Sequence, residues 1–129
     1  MMESTRYNLA KFRERIVRDA VGTFRTASCF QGKGQPAAGI VTAVAEGLID
    51  LLEDGPSRDY MTVKRYTEWL YNLIRKEGKK ADTTLDFLDR FEQIVTRYLP
   101  NREDVDVDVF FEMCREIVRA RHDQLMQPR

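Results

Sequence analysis

Apolar residues along this chain recur at steps of three and four, the spacing that lines one face of an α-helix. No stretch alternates convincingly between apolar and polar as a half-buried strand requires. The clearest run is residues 83–100. Leu85, Leu88, Phe91, Ile94, Val95 and Tyr98 share one side, while Asp86, Asp89, Arg90, Glu92, Gln93 and Arg97 fall mostly on the other. Thr83 and Asp86 approximate a capping box, and Pro100 stops the run. This stripe is too apolar to stand alone in water, so other segments must cover it.

The same spacing predicts further helices. Residues 5–27 put Leu9, Phe12, Ile16, Ala20 and Phe24 inside and Arg6, Lys11, Arg13, Arg15 and Arg18 toward solvent. Residues 36–53 bury Ile40, Val41, Val44, Leu48, Leu51 and Leu52. Ala37, Ala38, Gly39, Ala43, Ala45 and Gly47 make this helix small-sided, which lets a neighbouring helix come close. Residues 57–77 carry Tyr60, Val63, Tyr66, Trp69, Leu70, Leu73 and Ile74, with Tyr71 placed outward. Gly78 ends that run, and Lys76, Lys79 and Lys80 suit its negative end. The last segment opens on Glu103, Asp104, Asp106 and Asp108, read as capping and dipole compensation. It then buries Val107, Phe110, Phe111, Cys114, Ile117, Val118 and Leu125. The expected fold is all-α: one domain over residues 1–129, about five helices in a compact bundle.

Charge changes the picture little. Lys plus Arg total 21 and Asp plus Glu total 21, a formal balance of zero that argues against a dedicated nucleic-acid binder. Lys11, Arg13, Arg15, Arg18 and Lys33 are the basic residues such a binder would use. The two cysteines, Cys29 and Cys114, have no CxxC spacing, so the expected setting is a reducing cytoplasm. The first residues lack a secretory h-region, and no segment has the apolar length of a membrane span.

Candidate chemistry is sparse. Gly32-Lys33-Gly34 precedes a helix start, where a lysine and free amides suit a phosphate or carboxylate, but it lacks the P-loop spacing. His122 is the only histidine and is expected on the surface. Cys114 is expected in the core; Cys29, beside a loop and Lys33, is the more reactive of the two. Asp104, Asp106 and Asp108 resemble a calcium loop only superficially, because Val109 stands where glycine is needed and Arg115 where the bidentate Glu belongs. Glu46 with Asp50, and Asp82, Asp86 and Asp89, form acid ladders without the Glu-x-x-His companion of a metal site. No catalytic residue, metal or cofactor is expected.

Residues 35–55 and 75–99 resemble the N-terminal helical sensor domains of RsbR-type stressosome proteins, which also precede histidine-kinase and other output modules. The resemblance is carried by Pro36, Gly39, Gly47-Leu48, Leu51-Leu52 and Gly55, then by a Gly-containing turn before an amphipathic helix, and covers about half the chain. It implies a globin-like or related helical fold, often without haem, that pairs as a dimer. No catalytic residues carry over from it. An output module such as a STAS domain is expected to lie outside this chain or to be replaced by a partner.

The expected function is therefore a non-enzymatic regulatory or sensory domain in signalling, acting through a protein partner or as a homodimer. The expected interface lies on the first and last helices, at Tyr7, Phe12, Phe111 and Val118. The alternative is a receptor for a small apolar ligand, with a pocket among Tyr66, Trp69, Phe87 and Phe91. Nucleic acid comes after both, and an enzyme last.

Overall fold

The computed structural model describes residues 3–75, 81–100 and 104–127. Among these, the regular structure is helical: α1 (Glu3–Lys11), α2 (Arg13–Phe24), α3 (Ala37–Glu53), α4 (Tyr60–Ile74), α5 (Asp82–Thr96) and α6 (Val105–Met126), with 3-10 turns at Ser28–Phe30 and Gly55–Ser57. Gly78, Lys76, Lys79, Lys80 and Glu103, given roles above, lie outside the described residues.

Six helices stand where about five were expected, because the first predicted helix bends at Phe12 (φ −104°, ψ 10°). Hydrogen bonds from Phe12 N to Asn8 O and from Ile16 N to Phe12 O, each 2.9 Å, run through the bend. No Pro or Gly lies there to cause it. The two halves instead serve different neighbours. In α1, Asn8 Nδ2 donates to Tyr98 O (2.8 Å) and Thr5 Oγ1 donates to the buried Asp104 carboxylate (2.7 Å). At the start of α2, Arg13 reaches Asp50 (2.8 Å) and the Glu46 carbonyl (3.2 Å) on α3.

The helix ends show which local signals the chain uses. Asp104 caps α6, accepting from the amides of Asp106 (3.0 Å) and Val107 (3.2 Å), and Asp59 caps α4 by accepting from Thr62 N. The box expected at Thr83 and Asp86 does not form. Helix α5 starts earlier, at Asp82, with Ala81 as its uncapped boundary. After α3, Gly55 takes φ +67°, a left-handed conformation that favours glycine, and Arg58 closes the turn. Arg58 donates to the carbonyls of Leu51 (3.1 Å) and Leu52 (3.2 Å), forks onto both oxygens of Asp106 (3.1 and 2.7 Å), and lies over the Phe110 ring at 5.0 Å.

One contiguous core runs through the described helices. Its spine is aromatic: Phe24 and Phe30 meet Phe87 at 4.6 and 5.6 Å, Phe87 stacks on Phe91 at 6.0 Å, and Phe91 meets Phe111 at 6.2 Å. Each such ring pair adds ~1 kcal/mol beyond the area it buries. Helices α4 and α6 run parallel, since Arg58, Thr67 and Tyr71 meet Asp106, Cys114 and His122 in the same order. Phe91 and Arg115 are where α5 packs against α6.

Candidate functional site

The residues expected to form an interface do not share a surface. Tyr7 is exposed on α1 and Phe12 is half-buried, its ring 5.4 Å from Tyr98. Phe111 and Val118 are wholly buried inside this chain, so neither reaches a partner directly. Helix α6 carries two apolar stripes. The dense one (Val107, Phe110, Phe111, Cys114, Ile117, Val118) turns inward, and a thinner one (Val105, Val109, Met113) is left outside or at the margin. Leu125 is exposed rather than part of the buried side.

The expected apolar pocket also divides. Tyr66 and Trp69 pair at 5.3 Å, while Phe87 and Phe91 belong to the aromatic spine of the core. The reason lies in α4, which has more apolar residues than one stripe holds. Val63, Thr67, Leu70, Tyr71 and Ile74 face the core, so Tyr71 points inward rather than outward. Tyr66 and Leu73 become marginal, and Trp69 stays 47% exposed.

A neighbouring helix does come close to α3, where α2 packs along it, and at Gly47 the space of the missing side chain is filled by an aromatic ring. Tyr66 Oη donates to Val44 O at 3.0 Å, and a Cβ at Gly47 would collide with its ring. Burial, and then the nearby Asp50 carboxylate, push the Tyr66 hydroxyl up to about 12. Beside this pair lies a cleft of about 190 Å³ lined by Lys33, Gln35, Gly39, Ile40, Ala43, Trp69 and Leu73. The Gly-Lys-Gly turn and the aromatic helix, unconnected in sequence, meet there. Gly32 (φ +69°) and Gly34 (φ +78°) hold the turn in left-handed geometry.

A second hollow, about 240 Å³, opens between α4 and α6. Tyr60, Lys64 and Glu68 line one side and Met113, Glu116, Ile117, Ala120, Arg121 and Gln124 the other. A shallower depression continues it past Val109 and Glu112. Among the described residues, Arg121 Nε is buried there without a hydrogen-bond partner.

The remaining candidates resolve into structural roles. Both cysteines are buried, which removes Cys29 from the reactive position expected of it. Burial pushes the Cys114 thiol up to about 11 against a smaller opposing effect of its Thr67 hydrogen bond (3.6 Å). His122 is half-buried rather than free on the surface, with Nδ1 at 2.8 Å from the hydroxyl of buried Tyr71. Of the acids, Asp50 and Glu53 flank Arg13, Asp86 pairs with Arg90 (3.4 Å), and Arg115 gathers Asp89 (2.8 Å), Glu92 and Glu112. Burial raises the Glu92 carboxyl, with Arg115 opposing it. Among the described residues, no group of three or more His, Cys, Asp or Glu side chains is arranged to hold a metal ion. No described helix is long and apolar enough to cross a membrane. Arg13, expected as solvent-facing charge, is tied to α3.

Compared with models of protein families, with characterised proteins and with solved structures, the chain matches none of them.

Proposed function

We propose that this chain is a non-enzymatic, cytoplasmic regulatory domain, of the sensory and globin-like kind its stressosome resemblance implies. It acts through protein contact at the α4–α6 face, and the first occupant of that face is a second copy of the chain. The observation that carries this reading is Arg121, whose Nε is buried without an acceptor among the described residues, at the margin of an apolar stripe. A buried donor left unmade costs ~1–3 kcal/mol, which a carboxylate from outside would relieve.

A self-contact brings acids to this face, since Glu68 and Glu116 line it. Val109, Met113, Glu116 and Ala120 recur at three- and four-residue steps on one side of α6, the spacing of a helix–helix seam. Two α6 helices packed antiparallel about an axis between Glu116 and Ile117 set Met113 opposite Ala120, large against small. The face mixes Lys64 and Arg121 with Glu68, Glu112 and Glu116, so it complements itself when inverted better than it complements a partner of one sign. Regulation then consists of shifting the helix packing beneath this face and so the state of whatever it contacts.

Sedimentation equilibrium at rising concentration tests the pairing. The wild type approaches the mass of two chains, and Arg121→Ala and Ala120→Arg, the latter at the exposed small position set opposite Met113, each weaken association about tenfold. Val109→Asp, at an exposed position, weakens association without lowering the melting temperature. A monomer at every concentration, or a dimer indifferent to all these variants, removes the self-contact. A photo-crosslinking residue at Val109, compared with one at Arg90, tests the face itself. If adducts form with another protein while the purified chain stays monomeric, the occupant is wrong and the face right. If Val109 captures nothing beyond the control, the contact reading falls.

A further inference from the structure

We infer that the cleft between the start of α3 and Trp69 is a binding site for a small aromatic carboxylate. This stands apart from the α4–α6 contact, and either can fail alone. The cleft has a flat apolar side and one charged group. Trp69 forms a wall, Ile40, Ala43 and Leu73 the apolar surface, and Lys33 is the only charged residue among the described residues lining it.

The wall is held from behind. The Trp69 ring packs 5.3 Å from Tyr66, and Tyr66 is fixed by its hydroxyl bond to Val44 O and by the space that Gly47 leaves open. Two left-handed glycines flank Lys33 and set the path of the turn that brings it to the cleft. A ligand finding the wall already positioned loses less entropy on binding. At about 190 Å³ the cleft suits one ring with a small head group, since a cavity of ~150 Å³ accepts benzene. The ring of such a ligand stacks on Trp69, its carboxylate takes the Lys33 ammonium, and the Gln35 side-chain amide is within the same lining to donate a second bond.

Trp69 is the chain's only tryptophan, so its fluorescence reports the site directly. Titration with benzoate gives a saturable change in Trp69 emission. Benzamide, the same ring without the charge, binds about tenfold more weakly, and Lys33→Gln brings benzoate down to the benzamide level with the melting temperature unchanged. Ala43→Leu, on the exposed side of α3, fills the cleft and abolishes binding while the far-UV circular dichroism stays that of wild type. Amide and indole NMR shifts on adding benzoate centre on Gly39, Ala43 and Trp69. No saturable change, equal binding of benzoate and benzamide, indifference to Lys33→Gln, or shifts centred elsewhere would each overturn the assignment.

Discussion

At the scale of single residues, the position with the most consequence is Gly47. Glycine inside a helix costs ~1 kcal/mol relative to alanine, so its presence in the middle of α3 calls for a reason. The Tyr66 ring supplies it by occupying the space of the missing Cβ. The small residues of α3 do admit a close helix, α2, but at Gly47 they admit one aromatic side chain. The consequence is a coupling measurable by urea denaturation. In a Tyr66→Ala background, Gly47→Ala raises stability by ~1 kcal/mol, the helix-propensity gain. With Tyr66 present, the same change displaces the ring, breaks its bond to Val44 O and shows no such gain, and Trp69 emission shifts with it. Equal effects in the two backgrounds would mean that the ring moves aside freely.

At the scale of elements, Arg58 ties the end of α3 to the start of α6. It satisfies carbonyls at the end of α3, forks onto Asp106 in the first turn of α6, and covers Phe110, with its side chain 3% exposed. Removing one partner of a buried pair costs ~3–5 kcal/mol, because the other is left charged and unmatched. Arg58→Met is therefore expected to lower the free energy of unfolding by about that amount, and Arg58→Met with Asp106→Leu to recover a large part of it. If the double variant is no more stable than the single, the role of Arg58 rests on the α3 carbonyls rather than on Asp106. Nothing in the spacing around Arg58 marked it, since it falls in the first turn of the helix predicted over residues 57–77 and off its apolar stripe. The elements themselves were more legible. Residues 36–53 and the Asp104 cap came out nearly as the pattern predicts, because their signals are local. The bend at Phe12 and the rotation of α4 did not, because each is imposed by what the helix packs against.

At the scale of the whole molecule, burial makes the fold sensitive to alkali. An unfolded thiol ionises from its ordinary value of 9.0, whereas folded Cys114 keeps its proton to about 11. Between those values the unfolded state loses a proton that the folded state retains, so stability falls as pH rises, by at most ~1.4 kcal/mol per pH unit for this group. Tyr66, pushed from 10.0 to about 12, adds a loss of the same sign at higher pH. Urea midpoints measured from neutral to alkaline pH should fall less steeply in Cys114→Ala than in wild type across the window from 9.0 to about 11. Parallel curves would show that the thiol does not set this dependence.

The sequence by itself determined the class of fold and most of the core, because helical periodicity and the caps at Asp59 and Asp104 act over a few residues and need no distant partner. It also offered Lys33 as a candidate anion ligand and Trp69 as a candidate pocket residue. Only the tertiary structure decided which stripe of α4 and of α6 turns inward, since each helix carries more apolar residues than one face accepts, and the choice depends on the neighbours available to cover them. That choice buried Phe111 and Val118, left Val109 and Trp69 outside, and brought the Gly-Lys-Gly turn to the aromatic wall. Surfaces of this kind are what remains after the core is filled, so they are set by packing over long sequence distances and cannot be read from local spacing.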